Sequence, residues 1–319
     1  MRETEYAYAV ARIRANELGL LNSGDIDSLI NAENMTSALR LLSDKGYDTD
    51  SCISTMCEKE LQRVWNLITE CVPDSSLLEA LVCANDFSNL KAAVKATFSD
   101  LEIEDYFAVP ALCPLKTVSE AIGNAEFGLL PDYLASCAET AYHLISGGKG
   151  GQAAEMVLDK ASAETRLSLA RKSGSELLVR IIELVSLVSC IKIAKRCAAN
   201  GKPLEFAFDA MPAFDFIDTA KIIDAAYNGS DISAIVREAG YTEIADEADG
   251  DFSALEMKCD NVITALIQKA KFDTFGPDPV VAFYFAKLAE VKNIRIILSA
   301  KQAGVPTDII RERVRDIYV

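Results

Sequence analysis

Asp86-Phe87-Ser88-Asn89-Leu90-Lys91 returns later in the chain as Glu290-Val291-Lys292-Asn293-Ile294-Arg295, with the acid, the amide, the branched aliphatic and the cation in register. The two copies lie 204 residues apart (295 − 91). Between them Leu187-Val188-Ser189-Cys190-Ile191-Lys192 keeps only the aliphatic and the cation, at offsets of 101 and 103 from the flanking copies. A second echo, Leu42-Ser43-Asp44-Lys45-Gly46-Tyr47 against Val236-Arg237-Glu238-Ala239-Gly240-Tyr241, is spaced by 194 residues. Self-similarity at a fixed period is the signature of a repeat architecture. A period near 100 residues divides the chain into three units, 1–105, 106–207 with the degenerate copy, and 208–319.

The local signals are helical throughout. Tyr6, Val10 and Ile13 recur at i, i+4, i+7, and Ala7, Ala11 and Ala15 form a second row, so the opening helix is expected to pack on two sides. Thr36 stands where an N-cap belongs, and Lys45-Gly46 ends that run with a cation and a C′ glycine. Pro306-Thr307-Asp308 opens a last helix with the stripe Ile310, Val314 and Ile317. The Asn-Gly and Asp-Gly pairs at 200, 228 and 249 follow helical runs, not strands. The fold class is all-α.

Within each full copy the acid and the amide are i, i+3 on a helix, on one face and able to bond each other. Asn89 shares its face with Ala92, Ala93 and Ala96, and Asn293 with Ile296, Ile297 and Ala300, which implies burial and demands a partner. Two readings stand side by side: Asp86, Asn89, Glu290 and Asn293 form a repeated polar clasp, or Lys91 and Arg295 face a partner. Near the end Arg311, Arg313 and Arg315 alternate with Glu312 and Asp316, a pattern of solvated faces that also makes a local basic patch.

Composition removes whole classes of function. The 319 residues are 50% hydrophobic and 25% charged, ordinary for a globular protein, and length alone suits about two domains. The net charge of −16 opposes binding to nucleic acid or to an anionic lipid surface. Arg180 and Glu183 break the best apolar run well short of a membrane span. The start Met1-Arg2-Glu3-Thr4-Glu5 leads into an amphipathic pattern without a signal-peptide core, so a cytosolic protein is expected. Nine cysteines form no CxxC, and reduced thiols packed as small hydrophobes are expected. With His143 as the single histidine, neither zinc nor a nucleophile–base pair has its residues. Ser146-Gly-Gly-Lys-Gly-Gly151 lacks the spacing and the preceding strand of a phosphate loop, and reads as an inter-helix turn.

Given these repeats, the sequence resembles the C subunit of bacterial and archaeal V/A-type rotary ATPases, the counterpart of the d subunit of vacuolar ATPases. Tyr6-Ala-Tyr-Ala-Val-Ala-Arg-Ile-Arg14, the Asp86–Lys91 element, Phe275-Gly-Pro-Asp-Pro-Val280, the Glu290–Arg295 element and Lys301 to Pro306 carry the resemblance along the whole chain. Cys190 for the amide and Leu187 for the acid depart from it in the middle copy. The resemblance implies an all-helical funnel of three related subdomains about a pseudo-threefold axis, with no catalytic chemistry and no cofactor. It implies two sets of partners, the membrane rotor ring subunits below and the central axle subunits above, with one copy per complex, a monomer when isolated, peripheral on the cytoplasmic side. On that reading Lys91 and Arg295 face the axle, and Arg311, Arg313 and Arg315 are a second contact. A cytosolic helical-repeat scaffold with unrelated partners is the alternative from another class.

Overall fold

The structure is a computed structural model and describes residues 5–99, 106–148 and 150–319. Met1 to Thr4, the expected unit boundary at residue 105, and Lys149 of the glycine-rich turn lie outside the described residues. Among the described residues, helices α1 to α8 span Ala7–Glu17, Ser23–Asn31, Met35–Asp44, Ile53–Cys71, Ser75–Thr97, Leu115–Gly123, Asp132–Ser146 and Gly151–Lys172. Helices α9 to α16 span Glu176–Ala199, Leu204–Ala210, Thr219–Asn228, Ile232–Glu238, Thr242–Ala245, Phe252–Lys269, Asp278–Gln302 and Thr307–Arg313. Two short 3-10 turns, Phe127–Leu129 and Ala270–Phe272, complete the elements, and no strand occurs among the described residues. The all-α fold class read from the sequence is therefore the observed one.

By contacts the chain divides into two compact units. The first joins Met1–Ser75 and Ser175–Leu178 to Glu256–Val319, so both ends of the chain share one core. Its axis is α15, buried on every side from Pro279 to Lys287 and on all but the stripe of Lys292 and Arg295 from there to Leu298. A helix apolar on every side must be surrounded, and α15 is wrapped by α1, α2, α3, α4 and α16. Leu29, Ile30 and Leu42 meet Met56, Ile294 and Ile297 in the resulting core. Lys301 in the last turn of α15 donates to the carbonyls of Ile30 and Ala32 at 2.9 and 2.6 Å, satisfying acceptors that the end of α2 leaves open. The second unit spans Ser76–Gly174 and Val179–Leu255. There Phe87, Leu90 and Val94 of α5 pack with Val118 and Ile122 of α6, Leu134 and Ala138 of α7, and Ala154 and Leu158 of α8.

Several local expectations change. Tyr6, Val10 and Ile13 are buried, but Ala7, Ala11 and Ala15 are exposed, so α1 packs on one side only. The cap of α3 is Asn34, whose Oδ1 accepts from the Ser37 amide at 2.9 Å, two residues before Thr36. Helix α16 stops at Arg313, and Val314 and Ile317 continue as extended chain because buried Asn293 takes the backbone that a longer helix would use.

One buried charge cluster stands inside the first unit. Lys287 is 1% exposed, and its ammonium bonds Glu290 and lies 3.6 Å from Glu60. Arg63 grips Glu60 in a bidentate pair at 3.2 and 2.7 Å. Two carboxylates are thus balanced by two cations. Removing one partner of such a cluster costs more than the cluster itself contributes, because it strands a buried charge. Lys287→Met is expected to lower the free energy of unfolding by about 3–5 kcal/mol in urea titration, and a loss under about 1 kcal/mol would show that the ammonium does not neutralise these acids.

Candidate functional site

Asn89 and Asn293 are fully buried on the long helices α5 and α15, and they do the same thing. The Asn89 amide nitrogen donates to the carbonyl of Ala108 at 3.0 Å, and its Oδ1 accepts from the Ala108 amide at 2.6 Å. The Asn293 nitrogen donates to the carbonyl of Arg315 at 3.0 Å, and its Oδ1 accepts from the Arg315 amide at 2.9 Å. Each amide pairs with both backbone groups of one residue in the segment that follows the helix. Only a side chain with a donor and an acceptor side by side can do this, which explains asparagine and not aspartate at this register.

The acids one turn earlier accept only. Asp86 receives the amides of Leu112 and Cys113, each at 3.1 Å, and the hydroxyl of Tyr133 at 2.6 Å. Burial pushes its carboxyl above the usual range against those three donors. Glu290 receives the Leu21 amide on one oxygen and the Tyr47 hydroxyl and Lys287 ammonium on the other. Burial, then the neighbouring carboxylate, holds the Tyr47 and Tyr133 hydroxyls far above their ordinary pKa, so both remain protonated donors. Acid and amide do not meet each other; each fastens a different segment to the long helix.

In the middle copy, on α9, Leu187 and Cys190 are buried apolar groups. Glu183, one turn before Leu187, takes the role of the acid and accepts from the Tyr241 hydroxyl at 2.8 Å, while Arg180 lies over the Tyr241 ring at 4.1 Å. Matching the repeats position by position misses Glu183, which stands one turn out of register. The signal that finds it is the second echo: Tyr47 and Tyr241 end the two similar segments, and both donate to an acid on a long helix. Gly46 and Gly240, at φ of 90° and 86°, close α3 and α12 in the left-handed region, and each following tyrosine amide returns to a carbonyl five residues back, Leu42 or Val236, at 3.1 Å.

The five candidate cations separate. Lys91 pairs with Asp159 of α8 at 2.5 Å. Arg311 pairs with Asp27, and Arg315 with Asp260 at 3.0 Å. Arg295 is exposed beside the Cys57 thiol, and Arg313 is exposed. His143 is exposed in the last turn of α7, edge-on to Phe127 and Tyr142. All nine cysteines are free, and Cys52 alone among them is exposed. Among the described residues no group of three His, Cys, Asp or Glu is gathered as metal ligands, and no helix is long and apolar enough to cross a membrane. Asn293→Ala, which leaves both backbone groups of Arg315 without their partner, is expected to cost about 2 kcal/mol of unfolding free energy; stability equal to wild type in urea titration would show that the amide does not hold the C-terminal segment.

Comparison with known proteins places this geometry. The family model for the ATP synthase (C/AC39) subunit matches residues 9–313. The C subunit of the V-type sodium ATPase of Enterococcus hirae is 21% identical, over 98% of this chain and 99% of that protein. The C subunits of the A-type ATP synthases of Methanocaldococcus jannaschii and Thermococcus kodakarensis are each 23% identical, over 96% and 98% of this chain and 85% and 91% of theirs. Since the matched span takes in most of α1, the helices α5, α9 and α15 and the asparagine of each clasp, the chain belongs to the ATP synthase (C/AC39) subunit family.

Proposed function

We propose that this chain is a non-catalytic central-stalk subunit of a V/A-type ATP synthase or ATPase, joining the central axle to the membrane rotor ring and passing torque between them for ion transport. The observation that carries the proposal is the family match over residues 9–313. The polar interior supports it: Asp86, Asn89, Glu183, Glu290 and Asn293 are all engaged with this chain's own tyrosines, backbone or lysine. Groups so occupied hold helices together and have no acid–base work to do on a substrate.

Three related helical units, 1–105, 106–207 and 208–319, remain part of the proposal. The correspondence between α9 with α10 and α15 with α16, at a constant offset of 103 residues, supports it. As a rotor component the chain is one copy per complex, peripheral on the cytoplasmic side, and its contacts with ring and axle each bury a standard interface of at least about 1,200 Å² in order not to slip. Among the candidate contacts Lys91, Arg311 and Arg315 hold carboxylates of their own chain, so Arg295 and Arg313 are the cations with charge to offer a partner.

Affinity purification from native membranes should bring down ring and axle subunits together with this chain; recovery with unrelated cytosolic proteins instead would favour a scaffold. Arg295→Glu with Arg313→Glu lowers the net charge by four relative to wild type, two cations lost and two acids gained, and the cations removed are exposed ones that contribute little to folding. In the reconstituted complex ATP hydrolysis is expected to persist while ion pumping falls, and pumping at the wild-type rate would show that neither cation grips a partner.

A further inference from the structure

Helices α10 and α16 are the same element in two repeats. Both are seven residues long, both begin after a proline, Pro203 and Pro306, and both follow a glycine that ends a long helix, Gly201 and Gly304, at one offset of 103 residues. At that register their attachments differ in three respects. Asn293, which takes the backbone of Arg315 behind α16, corresponds to Cys190. Arg315 itself corresponds to Pro212, which has no N–H to give an amide. Ile310, 1% exposed and the buried anchor of α16, corresponds to Ala207, the single buried residue of α10.

The loss of the amide and the loss of its donor fit each other. A buried asparagine opposite Pro212 would keep an unpaired oxygen at a cost, so cysteine there is the quieter residue. Directly after α10 Met211 and Pro212 are buried and fix the end of the helix, and the polar contacts beyond them lie on the surface. The Ala213 amide reaches Glu164 at 2.9 Å, and Asp215 pairs with Arg171 at 2.6 and 3.0 Å, both acids exposed or half-buried on the rim of a groove of about 500 Å³ lined by Leu167, Ser168 and Phe214. On α10 itself Leu204 and Phe208, one turn apart, are 43% and 41% exposed.

We propose that α10 is a flap: residues 204–210 detach and reseat while α8 and α9 stay folded, whereas the matching α16 is held shut by Ile310 and Asn293. Of this matched pair α10 is the one that yields, and its opening bares the apolar side that Ala207 now covers. Ala207 is the one residue of α10 that is fully buried, with Phe206 partly covered and Leu204 and Phe208 over 40% exposed, so opening loses less apolar burial than an anchored isoleucine would, and local opening free energy follows the contacts that must be broken.

Hydrogen exchange of the full-length protein, corrected for intrinsic rates, tests this on wild type. Amides of 204–210 are expected to exchange at least about tenfold faster than those of 307–313, the factor that corresponds to a hydrogen-bond pair and a buried side chain. Equal or slower exchange in 204–210 overturns the proposal. The variant Asn293→Cys with Ile310→Ala transplants the middle pattern and is expected to bring 307–313 to within about threefold of 204–210 while α4 keeps its protection. Should 307–313 remain as protected as in wild type, these residues are not what distinguishes the two helices, and the proposal fails. Accelerated exchange across α4 as well would mean that the substitutions loosen the whole unit, and the wild-type comparison then decides alone.

Discussion

A polar group buried on a central helix has to be given partners, and this chain satisfies that demand with its own backbone. Asp86, Asn89, Glu290 and Asn293 are all under 5% exposed, and all bond amides or carbonyls of segments that follow or precede the helix by tens to hundreds of residues. Apolar packing alone would let short helices slide along a long one, because burial has no direction. A carboxylate that takes two specific amides, or an amide that pairs with one residue's N–H and C=O, admits one register. The long helices therefore carry positional information as well as apolar surface. The costs of leaving such groups unpaired make these positions sharper than any hydrophobic neighbour.

In the first compact unit the same demand ties the two ends of the chain. Glu290 accepts from Leu21, 269 residues earlier, and from Tyr47, 243 residues earlier. Its neighbour Lys287 meets Glu60 on α4, and Lys301 closes the end of α2. The core of that unit likewise mixes Leu29 and Met56 with Ile294 and Leu298. None of these contacts exists before the last 64 residues of the chain are made. The second unit has shorter internal spans, with Asn89 to Ala108 and Asp86 to Tyr133 separated by 19 and 47 residues. Contacts of low sequence separation cost less loop entropy to close, so the second unit is the natural first to fold.

What is legible in the sequence is the side-chain half of each clasp. Asp86, Asn89, Glu290 and Asn293 stand out because a repeated polar residue on an apolar face has to serve something. Their partners do not, since Ala108 and Arg315 contribute only backbone, and backbone groups leave no mark in composition. The spacing from amide to partner also differs, 19 residues in one copy and 22 in the other, so no fixed offset points there. Glu183 escapes because moving an acid by one helical turn preserves its face while breaking a register match. The cap falls at Asn34 and not Thr36 for a similar reason: Asn and Thr are both competent caps, and only the chain's entry geometry decides between them. The exposure of Ala7, Ala11 and Ala15 shows the limit of a periodic row, which records that a helix face is small without saying what lies against it.

Many of the cations of this chain are engaged by its own acids and carbonyls. Lys287 and Arg63 serve buried acids, Lys301 and Lys195 bond carbonyls at helix ends and turns, and Lys91, Arg311 and Arg315 hold carboxylates. Among the described residues the charged ones that are buried are Lys287 with Glu60, Asp86 and Glu290, so the outward face keeps most of the −16 of the chain. Such a surface repels nucleic acid and anionic headgroups and favours association with basic protein surfaces, at rates that rise as salt falls. For a chain proposed to sit against a membrane-embedded ring, this places the burden of attachment on protein contacts and none of it on lipid. Exposed Arg295 and Arg313 are among the cations that interrupt the acidic field, and a partner aligned by opposite charge would meet such interruptions as constraints on its orientation, because like charges brought together cost more than an exposed opposite pair contributes.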